Sequence, residues 1–495
     1  MIAPASVLSR HARRPTAIAL TLATTVLAVA CGGAAEVVRP LTARGDVDAI
    51  FAEYDRPGSP GCALGVIQNG EFAYRRGYGE ANLEHGIGLD ADTVFRTGSV
   101  AKQFTGMLIL LLDEAGTLSL DDDLRRWVPE MPDLGPITIR HLLHHSSGLR
   151  DYLVLTELAG YRDQDYYSAE QLLRLLGRQR ALNFAPGDDF LYSNTGYFLL
   201  AQIAERAAGK GIEALGQELI FGPLGMQSSR YYVDTSQIVP RRATGYAPTP
   251  EGFAISATTL PIAGDGAVYT TVNDLLAWDR NFYSNRLGAG APGLIEQWLA
   301  PGRLNDGSAT GARNGVSYGA GIGVRQERGT PVVSHGGAFV GFRADIIRYP
   351  EHRTTVAVLC NLATADPSRL GREVAEVFLG EVLEPDLRVP GPASTTEPAT
   401  ADSEFSVPVS QLRQFRGRYV SRELGVTYSL EILDGRLMAS LPQRWERSLA
   451  ARDEDHFVDP ESEIELVFSR NSGGAVDGFA LNWGRVTGLW FERIG

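Results

Sequence analysis

The chain has 495 residues, of which 44% are apolar and 21% charged, and its formal net charge is -13 at pH 7. This composition excludes a disordered chain, a fibrous repeat and a polytopic membrane protein. The excess of acidic residues also argues against a nucleic-acid partner. Of the 46 basic residues only Lys102 and Lys210 are lysines. Because a lysine can lose its proton at an active site and an arginine cannot, these two residues are the first candidates for proton transfer.

The N-terminus is typical of an exported protein. Residues 1–30 contain three arginines, no acidic residue and an apolar run from 17 to 30, which predicts a signal peptide too short to span a membrane. The cleavage site allows two interpretations. Ordinary cleavage fits, but the small residues followed by Cys31 resemble a bacterial lipoprotein signal, and we favour a lipid anchor at Cys31 with residues 31–45 as a tether. The predicted location is the bacterial cell envelope or periplasm.

Two further cysteines, Cys62 and Cys360, leave another question open. An oxidising compartment would allow them to form a disulfide, whereas two small buried apolar side chains would explain them equally well. Three cysteines in a chain of this length neither form a disulfide framework nor have the spacing of a metal site.

The segment 46–387 reads as one α+β domain. A hairpin is predicted at 62–78 from the Asn69-Gly70 pair. Apolar residues at helical spacing then run from Ser99 to Gly116. Further helices are predicted at 137–144, 168–179, 194–209, 212–219 and 272–285, and three strands within 331–361. Strands at both ends of the segment indicate an antiparallel sheet built from both ends of the domain and flanked by helices.

Residues 388–404 are rich in Pro, Ala, Ser and Thr and predict a linker. Seven short strand-like runs follow it, separated by turns and without a helical stretch. This pattern predicts a small antiparallel barrel or sandwich over residues 405–495. Such a module could pack against the larger domain, narrow access to its cleft, or be an inert appendage.

Three stretches contain residues suited to nucleophilic catalysis. Ser99 opens a predicted helix, and Lys102, one turn further on, is placed beside it and could take its proton. Tyr192, before Asn194 at a predicted loop–helix junction, could shuttle protons once a neighbouring lysine lowers its pKa. The segment His335-Gly336-Gly337-Ala338 ends a predicted strand, where glycines allow a substrate to approach the strand edge and an N–H group could stabilise an oxyanion.

In this order and spacing the three stretches resemble the penicillin-recognising serine hydrolases, which include class C type β-lactamases, D,D-peptidases, D-aminopeptidases and esterases. The resemblance covers roughly residues 45–387 and implies a β-lactamase/transpeptidase-like fold with an all-helical subdomain. Residues 405–495 are similar to the lipocalin-like barrels appended to many such hydrolases.

The resemblance also implies a role for each residue. Ser99 is the nucleophile, Lys102 its activator and Tyr192 the general base in acylation. Asn194 orients the substrate, and the amides of Ser99 and Ala338 form an oxyanion hole. No cofactor or metal is implied.

The chain departs from the β-lactamase pattern in two respects. One is that no separate Glu that would activate a deacylating water, as in some β-lactamases, can be identified, which favours the route through Tyr192. The other departure is at His335. His335 stands where those enzymes carry a lysine that binds the substrate's carboxylate, and histidine is only partly charged near neutral pH. This favours a peptidase or esterase over a β-lactamase, acting on a small-molecule or peptide substrate. The alternative is a catalytically silent protein that binds cell-wall peptides or a signal in the same cleft. The sequence does not indicate the oligomeric state.

Overall fold

The computed structural model describes residues 42–162, 164–385, 407–441 and 444–494. The predicted signal peptide, Cys31 and the predicted linker at 388–404 lie outside these ranges. The first described helix begins at Thr42, within the segment predicted as a tether. Among the helices of the described ranges, none combines the length and the apolar composition needed to cross a membrane.

The helices predicted from the apolar periodicity are present within a few residues of the expected positions, but the segment predicted at 212–219 ends in a π-helical turn, Gln217–Phe221. A 3₁₀ turn, Gly98–Val100, directly precedes the second helix. The α-helices before residue 385 are α1 Thr42–Ile50, α2 Ala101–Glu114, α3 Leu124–Trp127, α4 Ile139–Leu143, α5 Tyr152–Leu158, α6 Ala169–Leu176, α7 Asn194–Ala208, α8 Ile212–Gly216, α9 Gly222–Leu224, α10 Val272–Tyr283, α11 Gly293–Leu299 and α12 Pro367–Leu379.

Strands lie at both ends of the same region. They are β1 Cys62–Gln68, β2 Glu71–Tyr78, β3 Glu80–Asn82, β4 Ile87–Gly88, β5 Phe95–Arg96, β6 Arg230–Tyr231, β7 Tyr246–Thr249, β8 Gly252–Ile255, β9 Val268–Thr270, β10 Ser317–Tyr318, β11 Gly323–Glu327, β12 Thr330–Phe339, β13 Phe342–Tyr349 and β14 Thr354–Cys360. Seven of them form one antiparallel sheet in the order β10-β11-β12-β13-β14-β1-β2. The N-terminal hairpin therefore pairs with the last strands of the domain, as expected.

The hairpin β1–β2 turns through Asn69 and Gly70, whose φ angles are 53° and 78°. Two consecutive residues with positive φ are typical of the tight turn that joins twisted antiparallel strands, and Asn-Gly is the pair that adopts it most readily. Strand β1 is buried on both faces: Ala63 packs with the helices around α2, and Leu64 packs with α1 and α12. The sheet is thus the middle layer of the domain.

Cys62 and Cys360 form a disulfide. They are directly opposite each other on the neighbouring strands β1 and β14, and both are buried. The sequence left open whether these cysteines form a disulfide or are two separate buried side chains, and the structure has the disulfide. The bond joins the first and last strands of the large domain, which are 298 residues apart in sequence.

The C-terminal residues form a closed antiparallel barrel of eight strands. The prediction from sequence missed one strand, Trp445–Ala451, and the short helix α13, Val409–Leu412. The strands are β15 Gly417–Ser421, β16 Val426–Leu433, β17 Arg436–Leu441, β18 Trp445–Ala451, β19 His456–Val458, β20 Glu465–Arg470, β21 Val476–Trp483 and β22 Val486–Ile494. Pairing of β15 with β22 closes the barrel.

An ion pair and hydrogen bonds of Arg150 hold the barrel against the large domain. Nη1 of Arg150 pairs with Glu423 at 2.8 Å, and the two side chains are only 1% and 5% exposed. The same guanidinium donates to the carbonyl oxygens of Thr487 and Gly488 at 3.0 and 2.9 Å. Buried and fully hydrogen-bonded contacts of this kind hold two surfaces in one fixed arrangement, so the barrel is an integral part of the fold.

Candidate active site

Ser99 lies in the 3₁₀ turn that leads into α2. Gly98, with φ of 53°, supplies the backbone conformation that lets the chain leave β5 and enter this turn. Helix α2 is buried along nearly its whole length, and Lys102 lies one turn beyond Ser99 on the same side. Nζ of Lys102 donates a hydrogen bond to Oγ of Ser99 at 3.2 Å. The predicted pairing of these two residues is therefore present.

The ammonium group of Lys102 is fully buried among oxygen atoms. Besides Ser99 it donates to Oδ1 of Asn194 at 2.8 Å and to the backbone carbonyl of Asp265 at 2.9 Å. Burial penalises the charged form and lowers the pKa of Lys102 to about 8, although the charges of Asp265 and Asp151 oppose this shift. A lysine with a pKa near 8 is neutral in an appreciable fraction of molecules at neutral pH, and the neutral amine can accept a proton.

Tyr192 lies two residues before α7, and its ring centroid is 4.8 Å from Nζ of Lys102. Its side chain also has a hydrogen bond with that of Ser99. The prediction that the neighbouring lysine lowers the pKa of this phenol is wrong. Burial raises the pKa of Tyr192 well above its usual value, and the hydrogen bond with Ser99 offsets this only in part. Tyr192 is therefore a phenol, able to donate a proton, at any ordinary pH.

The ring of His145 packs against the ring of Tyr192, with the ring centroids 4.4 Å apart. Its Nδ1 accepts a hydrogen bond from the backbone N–H of Ser193 at 3.1 Å, so Nε2 carries the proton of the neutral ring. Burial holds the pKa of His145 well below its usual range, with Lys102 adding to the effect. This residue was not identified as functional from the sequence; in the structure it positions Tyr192 through ring packing and through its hydrogen bond with the backbone of Ser193.

The C-terminal half of strand β12 lies against the 3₁₀ turn that contains Ser99. Its pairing with β11 ends at Ser334, so residues 335–339 have a strand partner on one side only. A Cβ added at Gly337 would lie 2.0 Å from the Thr97 carbonyl oxygen and 3.0 Å from the amide nitrogen of Ser99. Only glycine permits this approach, which places Ala338 and Ser99 in the wall of the same pocket.

His335 lies on the buried side of β12. Its Nδ1 donates to the carbonyl of Gly336 at 2.7 Å, and its Nε2 accepts from the hydroxyl of Tyr318 at 2.9 Å. Burial, together with the charge of Lys102, lowers the pKa of His335 to about 4. The sequence predicted a partly charged imidazole at this position, but in the structure the ring is neutral at pH 7 and β12 presents no cation to a substrate.

The sequence-predicted residues thus converge. Ser99, Tyr192, Asn194 and Ala338 line one cavity of about 150 Å³, while Lys102 lies behind them. Of the predicted glycines, Gly337 sets the approach of β12, and Gly336 lies on its exposed side. No group of three His, Cys, Asp or Glu side chains suited to a metal ion occurs among the described residues.

Several residues around this cavity were not identified from the sequence. Asp265 accepts a hydrogen bond from the hydroxyl of Tyr152 at 2.8 Å, and burial raises its pKa. Asp151 accepts from the backbone N–H of Asn194 at 2.6 Å and so fixes the start of α7. Two arginines, Arg96 from β5 and Arg485 from the barrel, also line the cavity. Because the chain contains 44 arginines, the sequence alone gives no reason to single out these two.

The chain is similar to several known proteins. The model of the family described as Beta-lactamase matches residues 47–379. D-aminopeptidase of Gluconobacter oxydans (strain 621H) is 30% identical over 380 residues, covering 76% of this chain and 66% of that protein. Penicillin-binding protein 4* of Bacillus subtilis (strain 168) is 32% identical over 317 residues, covering 60% of this chain and 67% of that protein. The chain thus spans just under two thirds of the length of the D-aminopeptidase.

Among solved structures, the octameric penicillin-binding protein homologue from Pyrococcus abyssi superposes with a TM-score of 0.59 at 22% identity. The match covers 91% of this chain and 98% of that one, and so extends well beyond the residues matched by the family model. At this level of identity the likeness establishes a shared fold.

Proposed function

Since the chain belongs to the beta-lactamase family of serine hydrolases, we propose that it cleaves amide or ester bonds through an acyl-enzyme formed on Ser99. The observation that carries this proposal is the 3.2 Å hydrogen bond between Nζ of Lys102 and Oγ of Ser99, with the lysine fully buried. A serine hydroxyl becomes an effective nucleophile only when a nearby base takes its proton. The neutral amine of Lys102 is the base that this geometry supplies.

In the proposed acylation step, the oxygen of Ser99 attacks the substrate carbonyl carbon while its proton passes to Lys102. The amides of Ser99 and Ala338 face the negative charge that develops on the carbonyl oxygen, where preorganised donors contribute most. Asn194 keeps its Oδ1 on Lys102 and leaves its NH₂ group for a substrate carbonyl. These assignments follow the sequence-based roles, except that Lys102 replaces Tyr192 as the base.

Tyr192 acts instead as the proton donor. When the bond between the carbonyl carbon and the leaving nitrogen or oxygen breaks, the phenol protonates the leaving atom and recovers a proton from Lys102. The high pKa of Tyr192 suits this relay because the phenol does not dissociate between turnovers. Water then enters, gives its proton to the neutral Lys102, and releases the acyl group as a carboxylic acid. Ser99 regains its proton in that last step.

We propose D-amino-acid peptides or amides and short acyl esters as substrates, ahead of β-lactams. Sequence similarity to a D-aminopeptidase supports the first class. The neutral state of His335 supports the ranking, because a penicillin carboxylate would find no cation on β12.

The experiment that tests the proposed function uses a fluorophosphonate, which labels serine nucleophiles irrespective of the substrate preferred. Intact-protein mass spectrometry of the mature protein should show one adduct, and peptide mapping should place it on Ser99. The Ser99→Ala variant should remain unlabelled. Absence of an adduct on the wild type, or an adduct that persists in Ser99→Ala, would overturn the proposal and favour a silent binding protein.

We also propose that the chain is exported and anchored by a lipid on Cys31. The basic and apolar N-terminal segment supports export, and the Cys62–Cys360 disulfide agrees with an oxidising compartment. Metabolic labelling with radioactive palmitate in a bacterial host tests the anchor. Label should enter the wild-type protein and be lost in Cys31→Ala; an unlabelled wild type would indicate ordinary signal cleavage.

A further inference from the structure

A continuous chain of hydrogen bonds runs from the C-terminal barrel to the candidate nucleophile. Arg485, in the tight turn between β21 and β22, donates from Nη2 to Oδ1 of Asp151 at 3.3 Å. Oδ2 of the same carboxylate accepts from the backbone N–H of Asn194 at 2.6 Å. Asn194 accepts from Nζ of Lys102, which also donates to Ser99. Four consecutive polar contacts therefore join a residue of the barrel to the serine.

Asp151 holds the starts of two helices at once. It is the N-cap residue of α5, where its Oδ1 accepts from the N–H groups of Leu153 and Val154 at 3.1 and 3.4 Å. At the start of α7 the N-cap residue is Ser193, whose side chain makes no capping hydrogen bond to a described residue. The carboxylate of Asp151 takes over that capping role through the N–H of Asn194. A side chain that caps both helices fixes the position of Asn194 relative to Lys102.

The barrel turn is bonded to Asp151 through its main chain as well. The carbonyl oxygen of Arg485 accepts from the N–H of Asp151 at 3.2 Å and from Nδ2 of Asn183 at 3.0 Å. Oδ1 of Asn183 in turn accepts from the N–H of Thr487 at 2.9 Å. With the contacts of Arg150 described above, the turn is bonded on both sides of Arg485. The guanidinium group therefore has a defined position relative to Asp151.

The two ends of this pair act on Lys102 in opposite directions. Burial is the largest influence on the pKa of Lys102, and it lowers that pKa; the charges of Asp265 and Asp151 raise it, and the charge of Arg485 lowers it. The guanidinium carbon of Arg485 and Nζ of Lys102 lie 5.6 and 4.8 Å from the ring centroid of Tyr192. The docked barrel thus places a second cation close to the lysine, which favours the neutral amine.

The other titratable side chains near Lys102 in the described structure are Tyr192, Tyr197, His145, His335 and Asp265. Burial raises the pKa of the two phenols and lowers the pKa of the two imidazoles, so all four groups are neutral near pH 7. Asp265 gives its backbone carbonyl to Lys102 and its carboxyl group to Tyr152. These groups are the same in the wild type and in the variants compared below, so a shift between pH profiles reports the residue exchanged.

We propose that Arg485 and Asp151 are positioning residues through which the docked barrel prepares Lys102 to take the proton of Ser99. The inference rests on the proposed function, in which the neutral amine of Lys102 is the base. Asp151 acts through Asn194, and Arg485 acts through Asp151 and through its charge. The barrel then takes part in activating the serine, besides packing against the large domain.

The pH profile for a neutral ester tests this inference. p-Nitrophenyl acetate carries no charge for Arg485 to bind, and its leaving group departs without a proton, so kcat/KM reports mainly the activation of Ser99. Arg485→Met removes the charge and the hydrogen bond to Asp151. Its ascending limb should lie at higher pH than that of the wild type, with kcat/KM at least about 3-fold lower at pH 7 and partly recovered at pH 9. Arg485→Lys, which keeps a positive charge, should lie between the two.

Exchange of the carboxylate should move the profile the other way. Asp151→Asn removes a negative charge near Lys102, so its ascending limb should lie at lower pH than that of the wild type. Its plateau at high pH should also be at least about 10-fold lower, because an amide offers one oxygen to the N–H groups of two helices and holds Asn194 less firmly.

Two control variants remove the same kinds of group elsewhere. Asp123→Asn changes the N-cap residue of α3, which accepts from the N–H of Arg125. Arg422→Met removes another barrel arginine, one that is 64% exposed and paired with Glu492. Neither control should change the pH profile. Thermal unfolding of each variant checks that it is folded, and if Asp151→Asn does not fold, the two Arg485 variants decide the matter alone.

The outcomes separate this inference from the proposed function. A wild type without an ascending limb near pH 8 contradicts the proposed function, in which Lys102 is the base. A limb that is present in the wild type and unchanged in Arg485→Met, or moved there to lower pH, overturns the inference alone. Equal loss at every pH in Arg485→Met would show that the residue only supports packing, and a limb moved to higher pH in Asp151→Asn would contradict the assigned charge effect; either result overturns the inference.

Discussion

Nζ of Lys102 lies 3.2 Å from Oγ of Ser99 and is fully buried. The burial that brings these two groups together also lowers the pKa of the lysine to about 8, so one feature provides both the contact and the basicity. Proton transfer from a serine hydroxyl needs both, since a permanently charged ammonium group could only donate.

Replacement of Lys102 by arginine should therefore abolish most of the activity while keeping the positive charge. We expect kcat/KM for an ester substrate to fall by at least about 10²-fold, because a guanidinium does not accept a proton near neutral pH. Steady-state kinetics on the purified variant measure this. The matched control is Lys210→Arg, at the other lysine, which is half exposed and paired with Glu218. Near-normal turnover in Lys102→Arg would contradict the assigned role.

The pH dependence should follow the same group. In the proposed mechanism Lys102 is active when neutral, so acylation should increase with pH up to about 8 and level off above it. The profile of kcat/KM, which reports the free enzyme, should show this ascending limb. A rate that is constant from pH 6 to pH 9, or that falls as pH rises, would exclude Lys102 as the base.

Removal of the Tyr192 hydroxyl should affect substrates according to their leaving groups. A Tyr192→Phe variant should lose at least about 10²-fold in kcat/KM on an amide, whose nitrogen must be protonated to leave. The loss on a p-nitrophenyl ester should be much smaller, because nitrophenolate departs without a proton. Parallel assays with the two substrates measure the difference. Equal losses would show that Tyr192 acts before the leaving group departs, as the general base first expected from the sequence.

The two neighbouring glycines of β12 offer a matched pair of variants. A Cβ at Gly337 would lie 2.0 Å from the Thr97 carbonyl oxygen, whereas at Gly336 the nearest atom is 3.7 Å away. Gly337→Ala should therefore push β12 away from Ser99, with kcat falling at least about 10-fold as the proposed oxyanion donors, the amides of Ser99 and Ala338, separate. Gly336→Ala should have little effect on kcat. Circular dichroism and kinetics on both variants test this, and similar activity in the two would contradict the role given to the close approach.

The buried ion pair between Arg150 and Glu423 should stabilise the packing of the barrel against the large domain. Glu423→Ala leaves the Arg150 charge buried without its partner, which costs about 3–5 kcal/mol of unfolding free energy. The control, Glu492→Ala, removes an ion pair that is about half exposed and should cost at most about 1 kcal/mol. Chemical denaturation of the two variants gives the comparison. If Glu423→Ala were as stable as Glu492→Ala, the pair would not hold the barrel.

Local patterns were sufficient to predict the Ser99–Lys102 pair, the β1–β2 hairpin and the helix beginning at Asn194. Each depends on geometry within a few residues: the period of a helix, the positive φ of an Asn-Gly turn, or a turn that ends in a helix cap. The joining of distant stretches was predicted through family resemblance. The disulfide remained open because cysteine spacing alone does not indicate which strands are neighbours.

Three features could not be predicted because they depend on tertiary packing. The pKa of Tyr192 rises since the phenol is buried, and burial is not visible in the local sequence. Arg485 reaches the catalytic cavity because the barrel docks around Arg150, a contact between residues more than 330 positions apart. Strand β18 was missed because Trp445–Ala451 contains few β-branched or aromatic residues and pairs through its neighbours.

Capture of the covalent intermediate on a true substrate tests the central proposal most directly. The protein is mixed with a slowly hydrolysed acyl ester, quenched in acid within the first turnover, and analysed by intact-protein mass spectrometry and peptide mapping. We predict a mass increase equal to one acyl group, located on the peptide that contains Ser99 and absent in Ser99→Ala. Hydrolysis of the ester with no acyl group on Ser99 at any time point, or equal hydrolysis by Ser99→Ala, would contradict it.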